Sequence, residues 1–180
     1  MQPPPLSEQE VYAPPRRKNN LVWIILAVVL ICGCGGVIGL SAILFPAFQT
    51  AKVKAQTARC VSNARRIAMG EIMYATDHDD RFPFSKNWND TIATYTHTES
   101  IFRCPTVSRM TPGGYAMNSA HSGKSMVDIA TPATEIDFFE TADLTRNVGG
   151  NPDKEPPTNR HGKGRTVAHN DGSAKWVKSD

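Results

Sequence analysis

The chain has 180 residues, 40% of them hydrophobic, which is enough for one domain of ordinary size beside polar termini and a long apolar segment. Twenty Lys and Arg residues against seventeen Asp and Glu residues give a net charge of +3. Because this excess is small and scattered, it does not form the basic surface that nucleic-acid binding needs, and we expect no nucleic-acid partner.

The first 20 residues contain five prolines and no apolar periodicity. Such a segment cannot bury enough apolar surface to offset the entropy lost on ordering. We therefore expect residues 1–20 to be a disordered, Pro-rich tail.

Residues 21–45 are apolar except for Ser41 and carry no charge. As a helix they would be about 37 Å long, enough to cross a hydrocarbon core of about 30 Å. The pattern predicts a transmembrane helix. A buried helix of a soluble protein, a cleaved signal peptide behind Arg16, Arg17 and Lys18, and a lipoprotein signal ending at Cys34 are the alternatives.

Positive charge flanks this apolar segment on both sides, so the positive-inside rule alone orients it weakly. The basic cluster at residues 16–18 adjoins the segment directly, which favours a cytoplasmic N-terminus in the bacterial inner membrane. The lipid bilayer is the expected partner of this segment. Gly35 and Gly39 form a G-x-x-x-G pattern that would let a second copy of the helix approach, and the alternative is a glycine pair without a helix partner, since glycine is common in membrane helices.

After Pro46 the helical pattern continues with small and apolar residues at steps of three and four. This stripe predicts one long helix from residue 21 to 76, ended by the acidic residues 77–80 and by Pro83. The residues of the stripe are Val53, Thr57, Val61, Ala64, Ala68, Ile72 and Ala75.

Beyond Arg81 short apolar runs alternate with Gly, Pro, Asn and Ser, which is typical of small strands and turns. We expect a short helix at residues 89–95, strands at 115–118 and 135–140, and a long loop at 141–160. Residues 165–169 and 174–177 flank an Asp171-Gly172 turn and predict a terminal hairpin with Trp176 facing the core. His169 is expected to be exposed.

Two of the four cysteines, Cys32 and Cys34, lie in the apolar segment, and the other two are Cys60 and Cys104. A Cys60–Cys104 disulfide would connect the amphipathic helix to the loop region and stabilise a small domain by roughly 2–4 kcal/mol. Because disulfides persist in oxidising compartments, this pairing places residues 46–180 outside the cytoplasm. Two unpaired thiols in a reducing compartment are the alternative.

The sequence resembles the bacterial pseudopilin-like (prepilin-type, type II secretion protein G-like) family that carries an H-X9-DG domain. The resemblance covers residues 44–83, the segments IFRCP (101–105) and GGYAMN (113–118), and RHGKGRTVAHNDGSAKWV (160–177), in which His161 precedes Asp171 and Gly172 by the family's spacing. It implies an α+β fold, with a long N-terminal helix packed on a small antiparallel β-sheet.

The chain departs from that family at its N-terminus, where residues 16–20 lead into Leu21 without the glycine cleavage site and the glutamate of processed pseudopilins. Assembly through a prepilin peptidase is therefore not implied. We expect His161, Asp171 and Gly172 to be structural, with Asp171 and Gly172 forming the hairpin turn and His161 fixing its entry by a hydrogen bond.

No complete enzyme motif is present, since the sequence lacks H-E-x-x-H, a C-x-x-C outside the apolar segment and G-x-S-x-G, and the Gly-Lys-Ser at residues 123–125 lacks the first glycine of a P-loop. We expect no catalytic, cofactor-binding or metal-binding residue. Calcium at residues 77–80 and a metal held by His161 and Asp171 are weaker alternatives. The sequence thus favours a noncatalytic envelope protein, associated with a type II secretion or type IV pilus-like system, over a membrane-anchored ligand-binding or sensory domain.

Overall fold

The computed structural model describes residues 20–107, 110–155, 158 and 160–178, without the side chains of residues 33–40 and 43. Its contacts divide the chain into two compact units, Met1–Pro46 and Ala47–Asp180. The predicted tail at residues 1–20 lies outside the described part except for Asn20, as do the side chain of Cys34 and the surroundings of Gly35 and Gly39.

Helix α1 runs from Asn20 to Asp77 and includes Pro46. In the first unit the large apolar side chains that the structure describes are exposed, with 74% of Trp23 and 71% of Ile31 accessible. In the part of the chain that the structure describes, no helix is both long enough and apolar enough to cross a membrane. The predicted span at residues 21–45 includes side chains outside that part.

In the second unit, the predicted apolar stripe of α1 is buried at Ala64, Ala68 and Ala75 and half-buried at Val61 and Ile72. Cys60 and Ile67, outside the predicted stripe, are buried as well. Before Cys60 the stripe is not buried, since Val53 is 42% exposed. The helix ends at Asp77, and Asp79 and Asp80 then take positive φ angles of 54° and 55° in the turn that leaves it.

The described residues form an α+β fold with a five-stranded sheet in the order β3-β1-β2-β4-β5. The second helix, α2, covers Trp88–Thr96, and the strands are β1 (Tyr115–Asn118), β2 (Ile136–Glu140), β3 (Gly149–Gly150), β4 (Gly164–His169) and β5 (Ala174–Lys178). The sheet is mixed, because β3 pairs parallel to β1 while the other pairs are antiparallel. The expected fully antiparallel sheet is wrong at this edge.

The main core lies between the helices and one face of the sheet. It combines small residues of α1 with large side chains from three other places: α2, the short 3-10 helix Glu99–Phe102 and the central strands. These large side chains are Trp88, Ile92, Ile101, Phe102, Tyr115, Met117 and Phe138. Small residues on α1 let these large side chains approach its backbone. A smaller cluster of Ala116, Phe139 and Val167 lies on the opposite face.

The terminal hairpin forms as predicted, with β4 and β5 antiparallel and joined around Asp171 and Gly172. Trp176, however, does not enter the core, because β5 is the edge strand and 37% of this residue is exposed. Its ring lies over Gly164, where a Cβ would collide with it. The prediction that Trp176 faces the core is therefore wrong.

Candidate functional site

A disulfide joins Cys60 on α1 to Cys104, which follows the turn Glu99–Phe102, with their Cα atoms 5.4 Å apart. Both cysteines are buried. The predicted pairing is present, and it links the helix to the loop that precedes the sheet. The phenol of Tyr115, on β1, donates a hydrogen bond to the carbonyl of Cys60 (3.1 Å) and so ties the same point of α1 to the sheet.

His161 and Glu140 lie beside this disulfide. His161 Nε2 is 3.1 Å from Cys104 Sγ and 3.0 Å from Glu140 Oε1, and both side chains are buried. The second oxygen of Glu140 accepts the backbone N–H of Thr166 on β4 (3.1 Å). We call Cys60, Cys104, Glu140 and His161 the Cys-His-Glu cluster, whose donor atoms lie within 4.8 Å of one another.

The structure places Asp171 and Gly172 in the hairpin turn and not beside His161. Asp171 accepts the backbone N–H of Ser173 (2.8 Å), and Gly172 has φ +81° and donates to the carbonyl of His169 (3.0 Å). The hydrogen bonds of Ser173 lower the pKa of Asp171. His161 instead holds the segment before β4 against Cys104 and Glu140. Among the described residues, the metal-donor cluster therefore contains His161 but not Asp171.

A second buried polar group surrounds His121, between α1 and the start of β2. His121 Nδ1 is 3.0 Å from Asp137 and its Nε2 is 3.0 Å from Glu135. Glu71 of α1 and Asp137 of β2 are both buried. We call Glu71, His121, Glu135 and Asp137 the His121 cluster.

The environment of the His121 cluster favours the protonated forms of His121 and Glu71. Burial opposes the charged form of His121, but hydrogen bonds to Asp137 and Glu135 and their charges raise its pKa overall. Burial and then the neighbouring Asp137 raise the pKa of Glu71 well above its usual value. His169 adjoins the cluster, with Nδ1 3.3 Å from the carbonyl of Glu135, and is only 3% exposed. The prediction that His169 is exposed is wrong.

An open groove of about 520 Å³ lies beside the disulfide. Three arginines line it, Arg59 and Arg66 from α1 and Arg103 from the loop, together with Ser62, Asn63, Ser100, Cys104 and Val107. Asn63 closes one part of the wall by donating to the carbonyl of Arg103 (3.1 Å). This arginine groove is suited to an anionic ligand, because guanidinium groups pair with carboxylates and phosphates.

The acidic residues 77–80 do not form a cation site among the described residues. Asp77 accepts the hydroxyl of Tyr95 (3.1 Å), and His78 stacks on Tyr74. The calcium alternative thus has no geometric support in this part of the chain.

Sequence reasoning missed Glu71, His121, Asp137 and Glu140. A weak signal was present, because Glu71 falls between Ala68 and Ile72 on the buried side of α1, and two carboxylates interrupt the apolar strand IDFFE. Acids in such positions are buried only when they have a specific partner. Those partners, His121 and His161, are distant in sequence, so the pattern alone could not supply them.

No family model, curated protein or solved structure matches the chain.

Proposed function

We propose that this chain is a noncatalytic, pseudopilin-like envelope protein, held in the bacterial inner membrane by residues 21–45 with its N-terminus in the cytoplasm. The domain after Pro46 then lies outside the cytoplasm. We propose further that it acts with a type II secretion or type IV pilus-like system.

The observation that carries this proposal is the exposure of large apolar side chains along the first unit of α1. Leu21, Trp23, Ile31 and Phe45 are all more than 60% exposed, although soluble proteins rarely leave a continuous apolar surface of this extent in water. A lipid bilayer would cover such a surface on every side of the helix.

The Cys60–Cys104 disulfide supports the orientation. Disulfides are rare in reducing compartments and common outside the cytoplasmic membrane, so a buried structural disulfide favours an extracytoplasmic domain. The membrane segment then places the basic residues 16–18 on the cytoplasmic side, which is the orientation that the positive-inside rule weakly favours.

Fractionation of cells that express the full chain tests the anchor. We expect the protein to stay with membranes after alkaline carbonate extraction, to retain residues 1–20 by mass spectrometry, and to lose its domain when spheroplasts are treated with protease. Ile25→Arg with Val29→Arg should release it, because two arginines inside the apolar segment oppose insertion, each by up to the roughly 2.5–3.5 kcal/mol of an arginine at the helix centre. Val127→Arg, at an 82% exposed site of the second unit, is the matched control.

An extractable wild-type protein, or one that has lost its first twenty residues, contradicts the proposal. Crosslinking in intact envelopes then addresses the partners. A secretion ATPase or outer-membrane channel among the crosslinked proteins, or encoded beside this gene, is the expected result. Crosslinks between two copies that disappear in Gly35→Leu with Gly39→Leu would identify the proposed self-association.

The arginine groove favours a second candidate function, a membrane-anchored ligand-binding or sensory domain. Arg59 and Arg66 of α1 line this groove together with Arg103 of the loop. Binding of an anionic ligand should raise the unfolding temperature of the full chain in detergent and should be lost in Arg59→Gln with Arg66→Gln. Arg81→Gln, outside the groove, should bind as the wild type does.

A further inference from the structure

We propose that the Cys-His-Glu cluster is a redox-controlled site for one tetrahedral divalent metal ion of the zinc class. Cys60, Cys104, His161 and Glu140 bind the ion when both cysteines are reduced, and the Cys60–Cys104 disulfide excludes it when they are oxidised. This inference stands on the geometry of the cluster and does not depend on the proposed function.

The four residues have the donor types that zinc prefers, two thiolates, one imidazole and one carboxylate. Their donor atoms lie within 4.8 Å of one another and all four residues are buried. With metal–ligand bonds of about 2.0–2.3 Å, ligands of a tetrahedral ion are roughly 3.3–3.8 Å apart. His161 Nε2 is 3.1 Å from Cys104 Sγ and 3.0 Å from Glu140 Oε1, so these donors need only small shifts.

Reduction opens the space that an ion requires. Once the S–S bond is broken, Cys60 and Cys104 Sγ repel one another to a non-bonded distance, which is close to the separation of two ligands on one zinc ion. The backbone already brings their Cα atoms to 5.4 Å. Both residues are therefore held in place by α1 and by the loop while only their sulfurs move.

The surroundings orient the two remaining ligands. Glu140 Oε2 accepts the N–H of Thr166, which leaves Oε1 directed at His161 and at the sulfurs. No hydrogen bond fixes the Nδ1 atom of His161 among the described residues. In the disulfide state an Nε2–H donates to Glu140 Oε1, so binding of the ion at Nε2 shifts the ring proton to Nδ1.

Charge balances in both redox states. Two thiolates and Glu140 carry three negative charges, and a divalent ion leaves one, which the neighbouring Arg160 offsets. Glu140 acts on Arg160 electrostatically, and the guanidinium donates to the carbonyls of Gly114 (3.3 Å) and Thr141. In the disulfide state Glu140 and Arg160 neutralise each other without the ion.

The chemistry is a two-electron exchange at sulfur. A dithiol reductant supplies two electrons and two protons, breaks the S–S bond and becomes a disulfide itself. The ion then displaces the two thiol protons into solvent, and its own oxidation state does not change. Reoxidation by a disulfide reverses the sequence and releases the ion.

Cobalt(II) is the probe, because thiolate ligands give it an intense charge-transfer band and a tetrahedral shell gives strong visible bands. The full chain is used in detergent with Cys32→Ser and Cys34→Ser, so that only Cys60 and Cys104 remain. After reduction and anaerobic removal of the reductant, we expect one cobalt per chain, displaced by zinc. The oxidised chain should bind none.

His161→Ala and Glu140→Gln should each weaken cobalt binding at least tenfold and shift its visible spectrum. His78→Ala, at an exposed histidine outside the cluster, should bind as the parent does. Far-ultraviolet circular dichroism identifies the variants that remain folded. The comparison of the reduced with the oxidised parent chain tests the proposal even if neither variant folds. Failure of the reduced parent to bind cobalt, equal binding by the oxidised chain, or unchanged binding in a folded His161→Ala variant overturns the proposal.

Discussion

Gly172 combines a required backbone angle with a close neighbour. It adopts φ +81° in the hairpin turn, and a Cβ there would lie 2.7 Å from Met69 Sδ and 3.2 Å from Ile72 Cδ1. Gly172→Val should lower the free energy of unfolding by about 1–3 kcal/mol through backbone strain alone, with a further loss from the α1 contacts. Urea denaturation of the full chain in detergent measures it.

Gly162 provides the matched control. It has a similar φ of +85°, but a Cβ at this position meets nothing within 4 Å. Gly162→Val should therefore show the strain without the contact and destabilise less than Gly172→Val. Equal losses in the two variants would mean that the contact with α1 contributes nothing.

The His121 cluster should make stability depend on pH. The folded state raises the pKa of His121, through Asp137 and Glu135 against the opposing effect of burial, so it binds a proton more tightly than the unfolded chain does. This stabilisation is complete below the usual imidazole value of about 6.5 and is lost as pH rises through the higher folded pKa. The raised pKa of Glu71 acts in the same direction.

We expect the free energy of unfolding to fall as pH rises above the usual imidazole value of about 6.5, because the raised pKa of His121 places its deprotonation there. His121→Gln should reduce that slope, because its amide carries no titrating proton. His78→Gln should leave the slope unchanged. A wild-type protein that becomes more stable as pH rises through this range would show that the sign is wrong.

The roles of individual residues could be predicted from the sequence where a short local motif determines them. Asp-Gly specifies a tight turn by itself, so the hairpin at Asp171 and Gly172 could be read from the sequence, and two cysteines outside the apolar segment leave one pairing. Glu140 and His121 could not be assigned in this way. The role of a charged residue in the core depends on its partner, and that partner comes from a distant part of the sequence.

At the level of elements, the disulfide connects α1 to the loop before the sheet across a sequence separation of 44 residues. Closing a loop of this size restricts the unfolded chain and is worth up to about 4 kcal/mol. Cys60→Ser with Cys104→Ser should therefore lower the free energy of unfolding by roughly 2–4 kcal/mol in the presence of a metal chelator.

Cys32→Ser is the control for this prediction, since Cys32 is exposed and lies in the first unit. Denaturant unfolding of the three proteins gives the comparison. If the double variant were as stable as the wild type, the disulfide would add nothing to the free energy of unfolding. The Tyr115 hydrogen bond and the core would then be sufficient to hold α1 to the sheet.

Elements with their own periodicity or turn signals were predictable. The part of α1 after Pro46, β1 at Tyr115–Asn118 and the terminal hairpin all carry such local patterns. Strand β3 does not, because it consists of Gly149 and Gly150 and offers no side chains to read. Its parallel pairing with β1 depends on the course of the loop from Thr141, and a single strand's pattern contains no information about such a distant neighbour.

For the whole molecule, the proposed anchor and the disulfide should depend on each other. If the domain reaches an oxidising compartment only through residues 21–45, Ile25→Arg with Val29→Arg should leave Cys60 and Cys104 unpaired in cells. Alkylation of cells without reductant, followed by peptide mapping, should label both cysteines in this variant and neither in the wild type. Val127→Arg should behave as the wild type, and labelling of the intact wild-type chain would contradict the dependence.

Strand β5 has a further consequence for how copies of the domain meet. Among the described strands, none pairs with its outer edge, so β5 is the edge at which a strand of another chain could add to the sheet. Such open edges are a common starting point for amyloid-like stacking. Lys175 and Lys178 are exposed on this strand, and two like-charged lysines brought edge to edge repel one another. We therefore expect this short, lysine-bearing edge to oppose fibril growth at the membrane surface where we propose that the domain resides.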